Sequence, residues 1–493
     1  METPQITVET HLPGGLPGVT LVGLPETSVR EARDRVKSAI QNCGLIFPTG
    51  RVVVNLAPAD LVKEGARFDL AIAISILCAT DQVPQARVAS YEFLGELSLY
   101  GELRATRGCL CAVLSIDGNK KLIVPAANAA EASIVSKSNM IPMRHLLDVV
   151  GLLRDPDGKQ PINTCVLPKP PRQATESLHD VLGQQAAKRA LVIAAAGGHH
   201  LLMVGPPGTG KTMLARRFVG LLPDLTDEAA MEVAMVYSAA GLPLPNLCTP
   251  PFRDPHHSAS APALVGGGGQ IRPGEISLAH RGVLFLDELP HFKPSVLNLL
   301  REPLESQQVS IARVNSRATF PASFQFIAAM NPCPAGKVCT QHTCRCSPDQ
   351  VRRYQARISG PLLDRIDLHV AVPQLPKSML LNKPESPQQS PAGAISMICD
   401  ARAAQHKRQG KLNADLHAAD LARAADLNVA CKRLLSRATD RYQLSARSFH
   451  RIIKVARTVA DLEAQESIDS THIAEALSYR TLDWENGLGL AAR

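Results

Sequence analysis

The chain has 493 residues, enough for roughly two to four domains, with 45% hydrophobic and 20% charged residues, ordinary proportions for a soluble globular protein. A formal charge of +8 suits a phosphate-rich partner, while 4% aromatic residues with a single Trp argue against a base-stacking platform as the main hold on nucleic acid. No apolar run reaches the ~18 residues of a membrane span, and the opening METPQITVETHL lacks the basic and apolar regions of a secretory signal, so a cytoplasmic protein is expected.

Residues 1–153 are expected to form one compact unit. VVVN (52–55) predicts a strand, FDLAIAISILCA (68–79) a buried helix, and LIVP (122–125) a strand ahead of an Ala-rich helix over 126–135. Residues 154–177 are rich in Pro and polar residues without periodicity, which predicts a linker. A second unit spans 178–373, and a second Pro/Ser/Gln-rich linker spans 374–394. The remainder, 395–493, has helical period. In SFHRIIKVARTVADL, Phe449, Ile452, Ile453, Ala456, Val459 and Ala460 recur at three- and four-residue steps, leaving Arg451, Lys454 and Arg457 off the apolar face.

The second unit carries the chemistry. LLMVGPPGTGKTMLARRF predicts a buried strand, a glycine loop and a helix. Gly205, Pro206, Pro207, Gly208, Thr209, Gly210, Lys211, Thr212 and Met213 are the expected ATP-binding residues. The glycines let backbone N–H groups turn around phosphates, Lys211 reaches the β- and γ-phosphates, and Thr212 holds Mg²⁺. About eighty residues later GVLFLDEL ends an apolar strand in two carboxylates. Asp287 is expected to position Mg²⁺ and Glu288 to polarise the attacking water. FQFIAAMN ends at Asn331, a polar residue at a strand tip suited to hold that water. Arg365, in RISGPLLDRIDLHV, is expected either to complete a neighbouring subunit's site as an arginine finger or to make a surface salt bridge.

Together these motifs, with GLPGVTLVGLPETSVREARDRVKSAI, VNLAPADLVKEG, DPHHSASAPALVGGGGQIRPGEISLAHRGVLFLDELPHF, NPCP and LSARSFHRIIKVARTVADL, resemble the AAA+ ATPases. The resemblance is narrower still, to the magnesium-chelatase-like branch of the ComM/YifB family, and covers nearly the whole chain. It implies an α/β AAA+ core with a C-terminal helical lid, preceded by a Lon-protease-like α+β domain. It makes Asn331 sensor 1, Arg365 the arginine finger and Arg447 the lid's sensor 2, in a hexameric ring of the bacterial cytoplasm that moves on DNA. The activity implied is branch migration of recombination intermediates in natural transformation.

The chain departs from the family at several points. Members usually begin with a further strand-forming stretch before ITVETHL, so an edge strand is expected to be missing or the start misassigned. A Lon-type protease needs a Ser nucleophile and a Lys base. KEGARFDL has Arg67 in the place of that Ser, and RGCLCAVL has no Lys where the base would stand, so the first unit is expected to be non-proteolytic.

Two segments are expected to touch DNA phosphates: the glycine-rich loop ALVGGGGQIRPGE with Arg272, and QQVSIARVNSRATFPA, which alternates as a hairpin would and carries Arg313 and Arg317. His256 and His257 sit in the same motif without an assigned mechanism. Of the twelve cysteines, Cys333, Cys339, Cys344 and Cys346 cluster, which predicts either a structural zinc site or free thiols. Family members tend to carry a Cys at the position of Ala335, for which Cys339 or His342 would substitute. The rival functions are the motor subunit of a metal chelatase and a protein-remodelling ATPase.

Overall fold

The computed structural model describes residues 3–24, 27–116, 118–132, 139–155, 177–268, 271–313, 316–336, 346–375, 391–442 and 444–480. Residues 156–176 of the first expected linker and 376–390 of the second lie outside these ranges, and helix Pro391–Gln409 begins within the second, ahead of the expected boundary at 395.

The first body surrounds an apolar cluster that runs from Val29 to Leu153, with a smaller one of Leu94, Cys109, Val113, Leu122 and Val124 beside it. Strands β1 (Thr7–His11), β2 (Gly18–Val22) and β3 (Arg51–Ala57) form a sheet in the order β1-β3-β2, with β3 antiparallel to β1 and parallel to β2. The alternation of β3 buries Val52, Val54 and Leu56. Helices Thr27–Asn42 and Asp69–Ala79 pack against each other beside this sheet. The second helix buries Leu70, Ile72, Ala73, Ile74, Ile76 and Leu77 and has no single apolar stripe, as a helix enclosed on all sides requires. Its first residue, Asp69, is fully buried and held by Arg35, Nε donating to Oδ2 at 2.8 Å and Nη2 to Oδ1 at 3.1 Å. Strands β4 (Tyr91–Phe93), β7 (Lys121–Pro125) and β8 (Met140–Met143) form a small parallel sheet, and β5 (Glu96–Leu97) with β6 (Leu103–Arg104) a short ribbon. The Ala-rich helix starts as a 3-10 turn at Ala126–Asn128 and continues over Ala129–Ala132, with 133–135 outside the described residues.

This body is seated on the second. Helix Cys109–Ser115 packs on helix Asp227–Ala240, where Gly108 N donates to Ser238 O at 3.0 Å and Leu110 N to Ser238 Oγ at 3.3 Å.

The second body is built on five parallel strands, β9 (Leu201–Val204), β10 (Phe252–Arg253), β11 (Val283–Leu286), β14 (Gln325–Met330) and β15 (Leu368–Ala371), in the order β10-β11-β14-β9-β15. A parallel sheet covered on both faces demands continuous apolar runs, which is why LLMV and VLFL carry no polar residue. Leu201, Met203, Val283, Phe285, Ile327 and Ala329 face one cluster, and Leu202, Val204, Leu284, Leu286, Phe326 and Ala328 the other. The first cluster takes in helix Gln185–Gly197 and the C-terminal helices Pro391–Gln409, Val429–Tyr442, Ala446–Leu462 and Ser470–Ser478. The second is joined by an antiparallel hairpin of β12 (Gln308–Arg313) and β13 (Ser316–Pro321), which leads straight into β14.

Helix Ala446–Leu462 buries Ile452, Ile453, Ala456, Val459 and Ala460, the face its periodicity predicts. The flanking cations are engaged by protein, Arg457 fully buried and Arg451 and Lys454 half-buried. Arg457 is 1% exposed, donating Nη1 to Glu466 O at 2.7 Å and Nε to Asp461 Oδ1 at 3.1 Å. Lys454 Nζ donates to Ala414 O at 2.8 Å. Helix Gln185–Gly197 and the turn Asn413–Asp415 both press on this helix, so its flanks meet protein as well. Among the described residues no helix is long and apolar enough to cross a membrane.

Candidate active site

In an open parallel sheet the ligand crevice lies beyond the carboxyl ends of the strands. The loop after β9 stands there. Gly205 has no room for a side chain, since a Cβ would lie 2.1 Å from Val372 O. Gly208 and Gly210, at φ 78° and 88°, turn the backbone through the left-handed region with open space beside them. Thr209 Oγ1 donates to Pro206 O at 3.0 Å and fixes the turn. Helix Lys211–Phe218 then begins with its N-terminal N–H groups at the crevice, and Met213 is exposed on its first turn.

Lys211 is 8% exposed and donates Nζ to Gly205 O at 2.7 Å, Pro206 O at 2.8 Å and Asn331 Oδ1 at 3.1 Å. Burial lowers its pKa, opposed by the charges of Asp287 and Glu288. Thr212 Oγ1 donates to Asp287 Oδ2 at 2.5 Å, and Asp287 Oδ1 accepts from Glu288 N at 2.8 Å. The two tips of β11 and β14 thus meet the loop of β9 in one place, as their adjacency in the sheet dictates. Glu288 has φ 51° and ψ 45°, an uncommon backbone for a non-glycine residue, and its carboxylate is half-exposed.

The residues present fit ATP with Mg²⁺: an open, positive-φ glycine cradle, a lysine amine held among carbonyls, and a hydroxyl paired with a carboxylate. Magnesium there would be held by Thr212 and Asp287 and would neutralise phosphate charge. The chain supplies the rest. The crevice gathers Lys211 and Asn331 beside the Asp287–Glu288 strand tip, the residues expected to contact phosphate, to hold the attacking water and to polarise it.

The motif DPHH, which sequence reasoning left without a role, borders this site. His257 Nδ1 lies 3.6 Å from Glu288 Oε2, and the His256 and His257 rings are 4.1 Å apart. Asp254 sits near Asp287, and burial raises its pKa, with Arg216 opposing and Asp287 adding to the rise. Nothing local in DPHH signals this, because Glu288 lies far along the chain.

Arg365 is placed elsewhere. The register Leu368↔Leu201 to Ala371↔Val204 puts it before the amino edge of the sheet, and the glycine loop beyond the carboxyl edge. A strand of four residues separates them, roughly 13 Å. Its side chain is 6% exposed, donating Nη1 to Pro361 O at 2.6 Å and Nη2 to Glu305 Oε1 at 2.5 Å. It is therefore neither in its own chain's site nor a solvated surface residue. Arg447 is exposed on the first turn of helix Ala446–Leu462.

Three family models match in succession: "Subunit ChlI of Mg-chelatase" over residues 8–128, "Magnesium chelatase, subunit ChlI" over 177–380, and "Magnesium chelatase, subunit ChlI C-terminal" over 389–480. The chain is 49% identical over 489 residues to the competence protein ComM of Haemophilus influenzae, covering 98% of this chain and 96% of that protein. It is 46% identical to the uncharacterized protein YifB of Escherichia coli, covering 98% and 95%. The chain belongs to the ComM/YifB family of magnesium-chelatase-like AAA+ proteins. Membership of this AAA+ family implies an ATPase. A distant likeness, 26% over 168 residues and 34% of this chain, links it to the probable DNA helicase MCM9 of Arabidopsis thaliana.

The two segments expected to touch DNA in this ComM/YifB family member are neighbours. The loop folds back on itself, with Gly267 N donating to Arg272 O at 2.9 Å, and a Cβ on Gly266 would lie 2.9 Å from Ile311 Cδ1 of β12. Arg272 is exposed. Arg313 and Arg317 stand at the turn end of the hairpin by register. A further basic residue, Arg107 of the first body, lies within charge range of Arg272: burial lowers its pKa, and so does the charge of Arg272. Of the cysteine cluster, Cys339 and Cys344 lie outside the described residues, Cys333 is fully buried and Cys346 half-buried. Among the described residues no group of three or more His, Cys, Asp or Glu is arranged to hold a metal ion, so the zinc expectation rests on sequence spacing alone.

Proposed function

We propose that this ATPase is a DNA translocase, working as a hexameric ring in the bacterial cytoplasm and promoting branch migration of recombination intermediates in natural transformation. The observation that carries the reading is the contact between the Arg272 loop and the Arg313–Arg317 hairpin, whose second strand runs into β14 and ends at Asn331 beside Lys211. Hydrolysis sensed at Asn331 has a short mechanical path to basic groups suited to phosphate contacts without sequence readout. Likeness over nearly the full length to a competence protein, and the weaker likeness to a probable DNA helicase, support the same reading. In it the first body is a non-proteolytic Lon-like module, the C-terminal helices are the lid, and Arg447 and Arg365 serve as sensor 2 and as the finger for the next subunit.

ATP hydrolysis measured with and without single-stranded and forked DNA tests this. The expected result is strong stimulation that is lost in Glu288→Gln. A rate indifferent to every DNA favours the second reading, a chelatase motor or protein remodeller, which the names of the matching family models support.

A further inference from the structure

Three consecutive residues at the foot of β15 are each held by the C-terminal helices. Arg451 Nη1 donates to Arg365 O at 3.0 Å and also pairs with Asp367 Oδ1. Arg480 Nη1 donates to Ile366 O at 2.7 Å, while its Nη2 donates to Ser448 Oγ at 2.8 Å. Asp367, 3% exposed, accepts from His200 N at 3.1 Å through Oδ2, which also lies 3.4 Å from His199 Nδ1. His199 Nε2 in turn is 2.8 Å from Thr458 Oγ1 on helix Ala446–Leu462. Burial raises the pKa of this carboxylate, but Arg451 together with His199 and His200 outweighs it and holds the group well below the ordinary range, so it is ionised. On its outer side Arg365 is stowed against Glu305, at the base of the basic hairpin.

An ion pair that also satisfies a main-chain carbonyl through Arg451 and a main-chain N–H through the buried Asp367 has few intermediate arrangements. It moves as a unit or breaks. We infer that Arg451 and Arg480 are positioning residues that tie the 365–367 loop to the C-terminal helices, so that movement of those helices sets where Arg365 is offered to the neighbouring subunit. This deepens the proposed ring reading and rests on it. Neither arginine contacts the glycine loop of its own chain in the hydrogen bonds of the described residues, so each acts through Arg365.

The test uses rings mixed from full-length variants. Arg365→Ala keeps its own site but offers no finger; Glu288→Gln offers a finger but has a silent site. Mixed, they recover hydrolysis wherever a Glu288→Gln subunit serves an Arg365→Ala neighbour. No recovery sinks the finger reading, and this inference with it. The deciding arm adds Arg451→Gln to the Glu288→Gln subunit, whose own site is already silent. The recovered rate is expected to fall about tenfold or more at unchanged KM for ATP, with partial rescue by Arg451→Lys, which still pairs with Asp367. Arg480→Gln, which leaves the Arg451–Asp367 pair intact, is the parallel arm and is expected to act in the same direction. Undiminished recovery in both arms, in rings of the same sedimentation size, overturns the inference.

Discussion

Lys211 and Glu288 belong to the same strand-end crevice and are expected to fail differently. Lys211 Nζ donates to three oxygens of the loop and of Asn331, and the same N–H groups must turn to phosphate. Lys211→Ala should lower affinity for a fluorescent ATP analogue by more than about tenfold, since a charge-assisted contact to phosphate is lost. Glu288 instead projects from a half-exposed, left-handed position and touches no part of the loop in the hydrogen bonds among described residues. Glu288→Gln should leave nucleotide affinity nearly unchanged and cut turnover by about 10²–10⁴. A loss of binding in Glu288→Gln as large as in Lys211→Ala would contradict the division of roles.

At the scale of elements, the basic loop and hairpin should account for the salt dependence of DNA binding. Arg272→Ala, Arg313→Ala and Arg317→Ala are each expected to reduce the slope of log affinity against log salt by about 0.7 on single-stranded DNA. An unaltered slope in all three would move the DNA site elsewhere. Much of this level was legible in the sequence. Strands 201–204 and 283–286 were visible because strands buried on both faces can hold only apolar residues, and the hairpin because it alternates. What was not legible depends on partners distant in the chain. Periodicity set Arg451 and Arg457 off the apolar face, yet it carries no sign that other segments would enclose them. Arg365 looked like a finger or a surface residue, and its stowing by Glu305 needed the fold to bring the two together. His257 became part of the site only because β10 and β11 lie side by side and in parallel, so that the segments after them meet.

For the whole molecule, two histidines enclosed at the base of the main sheet, His200 half-buried and His369 buried, couple stability to pH. Burial pushes the pKa of His200 down to about 4 and that of His369 to about 3, from an ordinary 6.5. The unfolded chain therefore takes up protons below about pH 6.5 while the native protein does not. The stability these residues contribute is fully present above pH 6.5 and is lost as pH falls towards 4, at about 1.4 kcal/mol per pH unit per histidine. Melting temperature should fall between pH 7 and 5, and His369→Leu should flatten the decline; parallel curves would show that His369 does not carry it. The central claim, that hydrolysis at Lys211 and Glu288 drives movement on DNA, is tested most directly on a labelled, mobile four-way junction. Wild-type protein with ATP should carry the branch point to the end of the homologous arms, and Glu288→Gln should not. Equal product from both, or none from wild type while ATP is consumed, would contradict it.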